Sequence, residues 1–209
     1  MKKILIILIT IVFCLTARIS YPQELMEGFK SYIIKNGDTL SKVVPSAHWD
    51  IIQRVNRIDE RRLVPGKKIL IPIPEDFEKA VWFCPVPKTI SNQNFKKILY
   101  FFLDIQYFGA YQDNNLWLWG PISSGKLSSK TPPGEFLVFW KNKNYISKKY
   151  KMPMPYAVNF SEKVYFFHYQ SLPGRPASHG CIRLLKVDAE RLFYWIGKND
   201  PVIITDLKK

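Results

Sequence analysis

Residues 166–185 read FFHYQSLPGRPASHGCIRLL and hold two of the chain's three histidines together with a cysteine. An apolar run ends at His168, a loop carrying Pro173, Gly174 and Pro176 follows, and Cys181 stands 13 positions after the histidine. A loop of that length folds back and brings imidazole and thiol together. The thiolate is the reactive form of cysteine, and a neighbouring imidazole lowers the thiol's pKa or accepts its proton. Gly180 frees the backbone beside Cys181 for an unusual conformation. Consecutive amides at His179, Gly180 and Cys181 offer donors to the oxyanion of a tetrahedral intermediate. The same residues admit blander readings: a structural cysteine near a histidine, or a zinc site in which His168, His179 and Cys181 leave one position open. No HExxH or CxxC motif accompanies them. Arg183 has its own plain alternative, a surface ion pair with a carboxylate such as Asp188.

Outward from this stretch, the chain from Lys97 onward is dense with strands: KILYFFLD, QYFGAYQ, NLWLWGPIS, GEFLVFW and KVYFFHY. The QDNN between two alternating apolar runs signals a hairpin. In VDAERLFYWIGK, Leu192, Phe193 and Ile196 share a helical face and Asp188 is placed to cap the start. PVIIT supplies a last strand. The pattern is mostly β, without the βαβ alternation of a nucleotide-binding sheet.

Upstream, residues 31–74 form a smaller unit. SYIIK alternates as a strand, NGD makes a turn in which Asp38 can cap a helix through Val44, and Ile51, Ile52 and Val55 recur at helical spacing. LVPGKKILIP is a Pro-Gly turn into a strand, so the order is β, α, α, β. Residues 75–96, rich in proline and then polar, read as a linker carrying at most one short strand.

At the N-terminus, Met1-Lys2-Lys3 precedes the uncharged apolar run Ile4 to Leu15. That run falls short of the roughly 20 residues of a membrane span and reads as a secretory signal cleaved after Ala17. An uncleaved signal would serve as a membrane anchor. Export leaves Cys84 and Cys181, hence one possible disulfide; a nucleophilic Cys181 would instead have to stay reduced. The net charge of +14 is scattered, with no basic tract or nucleic-acid motif. Nucleic acid is therefore not the expected partner, and an anionic cell envelope is.

Two resemblances sharpen these readings. YIIKNGDTLSKVV, RVN and LVPGKKILIP, with Gly37, Asp38, Thr39, Leu40, Asn56, Pro65 and Gly66 in place, resemble the LysM module, which binds N-acetylglucosamine-containing glycans such as peptidoglycan. SHGCIRL, the preceding His168 and the upstream TPPGEF resemble the YkuD-type L,D-transpeptidase catalytic domain. The implied fold is mainly β, a small βααβ module followed over residues 97–206 by a β-sandwich-like catalytic domain with few helices.

The second resemblance implies Cys181 as nucleophile and His168 as base. Ser178, His179 and Gly180 would shape the site or its oxyanion hole, and Arg183 would support it or meet a substrate carboxylate. Residues 122–126 (ISSGK) and 131–136 (TPPGEF) would border the cleft, with Thr131-Pro132 fixing a turn. Tyr169 stands where many members carry a small residue, and is expected to narrow the acceptor side. The implied reaction is peptidoglycan 3→3 crosslinking by an exported enzyme of the periplasm or cell wall, monomeric by default, with no metal or organic cofactor. Water as acceptor would make it a carboxypeptidase, and a lipoprotein lysine an anchoring enzyme. A non-catalytic wall protein is the alternative outside enzymology.

Overall fold

The computed structural model describes residues 27–92, 94–161 and 165–207. The expected signal, residues 1–17, lies outside them. No helix among the described residues is long and apolar enough to cross a membrane.

In the N-terminal unit, β1 (Phe29–Ile33) pairs antiparallel with β2 (Lys68–Pro72), and α1 (Leu40–Val43) and α2 (Trp49–Asn56) lie between them in sequence. Ile34, Leu40, Val44, Ile52, Ile58, Ile69 and Ile71 form its core. Asn56 is buried there and ties helix to strand: its side-chain amide donates to the Ile52 and Leu70 carbonyls, and its oxygen accepts from Leu70 N–H. Asp38 does not cap α1. Its carboxylate accepts from Lys35 N–H and from the Tyr32 hydroxyl, closing the turn, while the helix begins at Thr39 without a side-chain cap.

Residues 75–96 carry a short helix, α3 (Phe77–Val81), and among the described residues no strand, and an isolated bridge joins Thr89 to Asn115. This segment is packed against both units. Ala80 and Phe77 pack with Phe29, Ile51, Val55 and Leu70, and Phe83 lies edge-on to Phe29, Tyr107 and Trp119.

The larger unit is a single nine-stranded sheet. It comprises β3 (Lys97–Phe102), β4 (Tyr107–Gln112), β5 (Asn115–Ser123), β6 (Gly134–Leu137), β7 (Trp140–Ile146), β8 (Pro153–Asn159), β9 (Phe166–Tyr169), β10 (Ile182–Leu184) and β11 (Pro201–Thr205). Their order is β6-β11-β3-β4-β5-β10-β9-β8-β7. The expected hairpin joins β4 to β5 through Asp113 and Asn114, both at positive φ as a tight two-residue turn requires.

The sheet curls onto itself. Phe101 of β3 and Phe167 of β9 lie four strand steps apart in it. A flat sheet would separate them by about 19 Å, yet their rings are 5.7 Å apart. Between the curled halves lie Leu99, Phe108, Ile122, Val158, Phe160, Ile182, Leu184, Val202 and Ile204. Helix α4 (Lys186–Trp195) contributes Ala189 and Leu192 to the same core. Its start is not capped by a side chain; Asp188, fully buried, instead binds Arg54 of α2 through both oxygens.

That ion pair is one of a row of contacts that dock the two units. The Tyr107 hydroxyl donates to the Arg54 and Val55 carbonyls, and Arg57 donates to the Ile105 carbonyl. Asp59 and Leu172 exchange two bonds, and Ile58 bridges Pro173.

Candidate active site

Strands β9 and β10 run parallel and adjacent, with Phe167 opposite Ile182, His168 opposite Arg183 and Tyr169 opposite Leu184. Successive strand side chains alternate between faces. Phe167, Ile182 and Leu184 point into the main core, so Phe166, His168, Cys181 and Arg183 share the other face. Phe166 and Cys181 pack together there with Met154 and Ala157. The imidazole of β9 and the thiol of Cys181, immediately before β10, thus come onto one surface.

His168 is only 6% exposed. Its Nδ1 lies 2.8 Å from the Tyr169 carbonyl. A carbonyl only accepts, so Nδ1 carries the proton and Nε2 keeps the lone pair of a base. Burial pushes the imidazole down to about 4, with the Tyr169 carbonyl opposing and the Arg183 charge adding to the fall. Burial likewise pushes the Cys181 thiol up, against the Phe166 backbone hydrogen bond and Arg183. At neutral pH the resting pair is therefore a thiol and a neutral imidazole. Cys84 and Cys181 are separate thiols in different apolar clusters.

The loop between the two strands is held from both sides. Ala177 and Ser178 N–H both donate to the Ser124 carbonyl, and Lys126 N–H donates to the Ser178 carbonyl. Gln106 fixes Ser124 in turn, accepting from its N–H and donating to its hydroxyl. Thr131 is buried and links three segments, since its hydroxyl accepts from Gly125 N–H and donates to the Gly180 carbonyl. Residues 122–126 and Thr131 thus reach the loop directly. Ser178 is buried, its hydroxyl donating to the Cys181 carbonyl and accepting from Gly180 N–H. That bond takes the Gly180 amide out of the set of oxyanion donors. Gly180 has φ +117°, and an added Cβ would lie 2.9 Å from the Tyr165 ring, so both backbone and space call for glycine.

The other expected residues fall as follows. His179 is exposed and stacks on Tyr150, 5.0 Å between rings, in the turn between β7 and β8. Among the described residues no three His, Cys, Asp or Glu side chains gather as metal ligands. Arg183 does not pair with Asp188, which Arg54 holds. Tyr169 packs against the main core and its hydroxyl accepts from Arg61 of the N-terminal unit, a contact between the two units. Gln106 and the contributions of Arg61 and Arg62 were not legible. Gln106 stands in no motif, and the arginines lie more than 100 residues from their partners.

The L,D-transpeptidase catalytic domain family, YkuD, matches residues 99–204, and the LysM domain family matches residues 32–72. A solved L,D-transpeptidase (Yku) from Stackebrandtia nassauensis is 25% identical with a TM-score of 0.51, over 55% of this chain and 57% of its own. L,D-transpeptidase 3 from Mycobacterium tuberculosis, in complex with a faropenem-derived adduct, is 21% identical with a TM-score of 0.50, over 53% of this chain and 60% of its own. The second likeness is one of fold. The chain spans less than two thirds of either solved structure. No curated protein is significantly similar to it.

Proposed function

We propose that this chain, which belongs to the YkuD family of L,D-transpeptidase catalytic domains and carries a LysM domain ahead of it, is a peptidoglycan L,D-transpeptidase with Cys181 as nucleophile and His168 as base. The observation that carries the reading is the common face of β9 and β10, where the Tyr169 carbonyl fixes Nδ1 of His168 and leaves Nε2 as the proton acceptor.

The Cys181 thiol gives its proton to Nε2 of His168, and the thiolate attacks the carbonyl carbon of the bond joining the L-centre of the third stem residue to D-alanine. The tetrahedral intermediate collapses with cleavage of the C–N bond. The imidazolium returns its proton to the departing D-alanine amine, leaving a thioester on Cys181. An amine of a neighbouring stem then attacks the thioester while His168 accepts its proton, and the thiol is regenerated with a 3→3 crosslink formed. The LysM domain holds the enzyme on glycan strands and raises the local concentration of stems. On this reading the protein works outside the cytoplasm, at the cell wall.

The test is product analysis with disaccharide-tetrapeptide. Release of D-alanine together with a 3→3 crosslinked dimer, both abolished by Cys181→Ala, is the expected result. Release of D-alanine with only a tripeptide product would make water the acceptor and the chain a carboxypeptidase.

A further inference from the structure

The loop from His168 to Cys181 rests on two different parts of the chain. Its second half is held by the larger unit: the Ser123 hydroxyl donates to the Arg175 carbonyl, the Ser124 carbonyl accepts from Ala177 and Ser178 N–H, and the Thr131 hydroxyl donates to the Gly180 carbonyl. Its first half is held by the N-terminal unit. Arg61 Nη2 donates to the Tyr169 hydroxyl at 2.9 Å, and Arg62 Nε donates to the Ser171 hydroxyl at 2.8 Å. Ile58 forms a bridge with Pro173. Gly174 lies so close to the same unit that an added Cβ would stand 3.2 Å from Ile58 Cγ2 and 3.3 Å from the Asn56 carbonyl oxygen.

Asp59 is the centre of these contacts. Leu172 is fully buried, so water does not reach its backbone amide and carbonyl, and both need a protein partner. Asp59 supplies the two. Its carboxylate accepts from Leu172 N–H at 2.6 Å, and its own N–H donates to the Leu172 carbonyl at 3.2 Å. The other carboxylate oxygen accepts from Arg61 N–H and caps the 3₁₀ turn Glu60–Arg62, from which both arginines reach the loop. One buried side chain therefore fixes the turn and ties it to the loop.

We propose that Asp59 is a positioning residue for Cys181: it anchors the first half of the loop, so that the LysM domain is part of the scaffold that sets the thiol against His168. The strand that follows Cys181, β10, is only three residues long. It gives the thiol little hold of its own, and the anchors of the loop decide where the thiol stands. A misplacement of about 1 Å is enough to cost about a hundredfold in rate. This role is separate from holding glycan and operates equally on a substrate without sugar. The effect on rate rests on the transpeptidase reading above; the anchoring rests on the hydrogen bonds of Asp59.

The test uses the full chain and a stem tetrapeptide ending in D-alanine and carrying no sugar, so that glycan holding plays no part. D-alanine release gives kcat and KM, and hydrogen exchange followed by mass spectrometry reports on residues 170–181. Asp59→Ala should lower kcat about tenfold or more while KM changes less than about twofold, and exchange across the loop should quicken. Asp59→Asn, which keeps an acceptor oxygen for Leu172 N–H, should retain more of kcat. Arg57→Gln removes a contact between the units that lies away from the loop, the bond to the Ile105 carbonyl, and should leave kcat and loop exchange as in the parent. An Asp59→Ala chain with the parent's kcat would overturn the proposal, and so would an equal loss of kcat in Arg57→Gln. Should Asp59→Ala fail to fold, Arg62→Gln, which leaves the Asp59 cap intact and frees Ser171, must move both readouts the same way to a smaller degree; no change there would also overturn it. A parent chain that releases no D-alanine while its loop exchange still depends on Asp59 would overturn the transpeptidase reading and leave the anchoring standing. Loop exchange indifferent to Asp59 would overturn the anchoring whether or not the parent turns over.

Discussion

Arg183 stands directly across from His168 in the parallel register of β9 and β10, and its positive charge acts on both His168 and Cys181. It lowers the imidazole and the thiol together. Burial works on the pair in opposite directions, lowering His168 and raising Cys181, and in each case it is the larger effect.

The sign of the pH dependence follows. His168 is neutral above about 4, so its protonation removes the base only in strongly acidic solution. The thiol ionises by itself only above the ordinary thiol range. Alkylation of Cys181 by iodoacetamide should therefore keep rising through pH 8 and beyond, with no plateau between pH 5 and 8. A plateau there would mean a preformed thiolate–imidazolium pair.

Arg54 and Asp188 form a buried ion pair between the LysM helix and the last helix of the catalytic domain. Burial pushes the Asp188 carboxyl up to about 6 even though Arg54 opposes the shift. Arg54→Ala strands that carboxyl and should cost about 3–5 kcal/mol, read as a lower urea midpoint. Arg54→Met with Asp188→Leu should recover most of the loss, because an apolar pair of similar volume removes both desolvated charges.

Thr131 joins Gly125 to Gly180 through one buried hydroxyl. Thr131→Val leaves a buried donor and a buried acceptor unsatisfied and should cost about 1–3 kcal/mol. Since the freed carbonyl is next to Cys181, kcat should fall further than KM rises. Thr131→Ser should restore both stability and rate.

Gly180→Ala meets both a positive φ and the Tyr165 ring. The conformational strain is on the order of 1–3 kcal/mol, and the expected outcome is a lowered melting temperature together with slower Cys181 alkylation. An alanine variant as stable and reactive as the parent would show that the loop relaxes without harm.

The two modules and the placement of His168 and Cys181 on one face were legible because each leaves a local mark. The Pro-Gly and Asn-Gly-Asp turns frame the LysM strands, and His168 and Cys181 end and begin apolar runs at a fixed spacing. Three strands left no such mark. β7, WKNKNYI, is exposed along almost its whole length, so no alternation betrays it; β8 carries Pro153 and Pro155, which argue against a strand; β10 is three residues long. Asp38 and Asp188 both read as helix caps in sequence because acidic residues at helix starts usually are. Tertiary partners decide otherwise: Lys35 N–H and the Tyr32 hydroxyl claim the first, Arg54 the second. The reach of Arg61 and Arg62 to Tyr169 and Ser171 depends on how the modules dock, which no local pattern encodes.

Cysteine acylation is the central claim, and intact-mass measurement under mild reduction tests it most directly. The full chain and its Cys181→Ala variant would each be incubated with disaccharide-tetrapeptide. The parent should gain the mass of the stem less D-alanine, and the variant should gain nothing. A folded parent with Cys181 reduced that shows neither adduct nor turnover would contradict the claim and leave a glycan-binding wall protein.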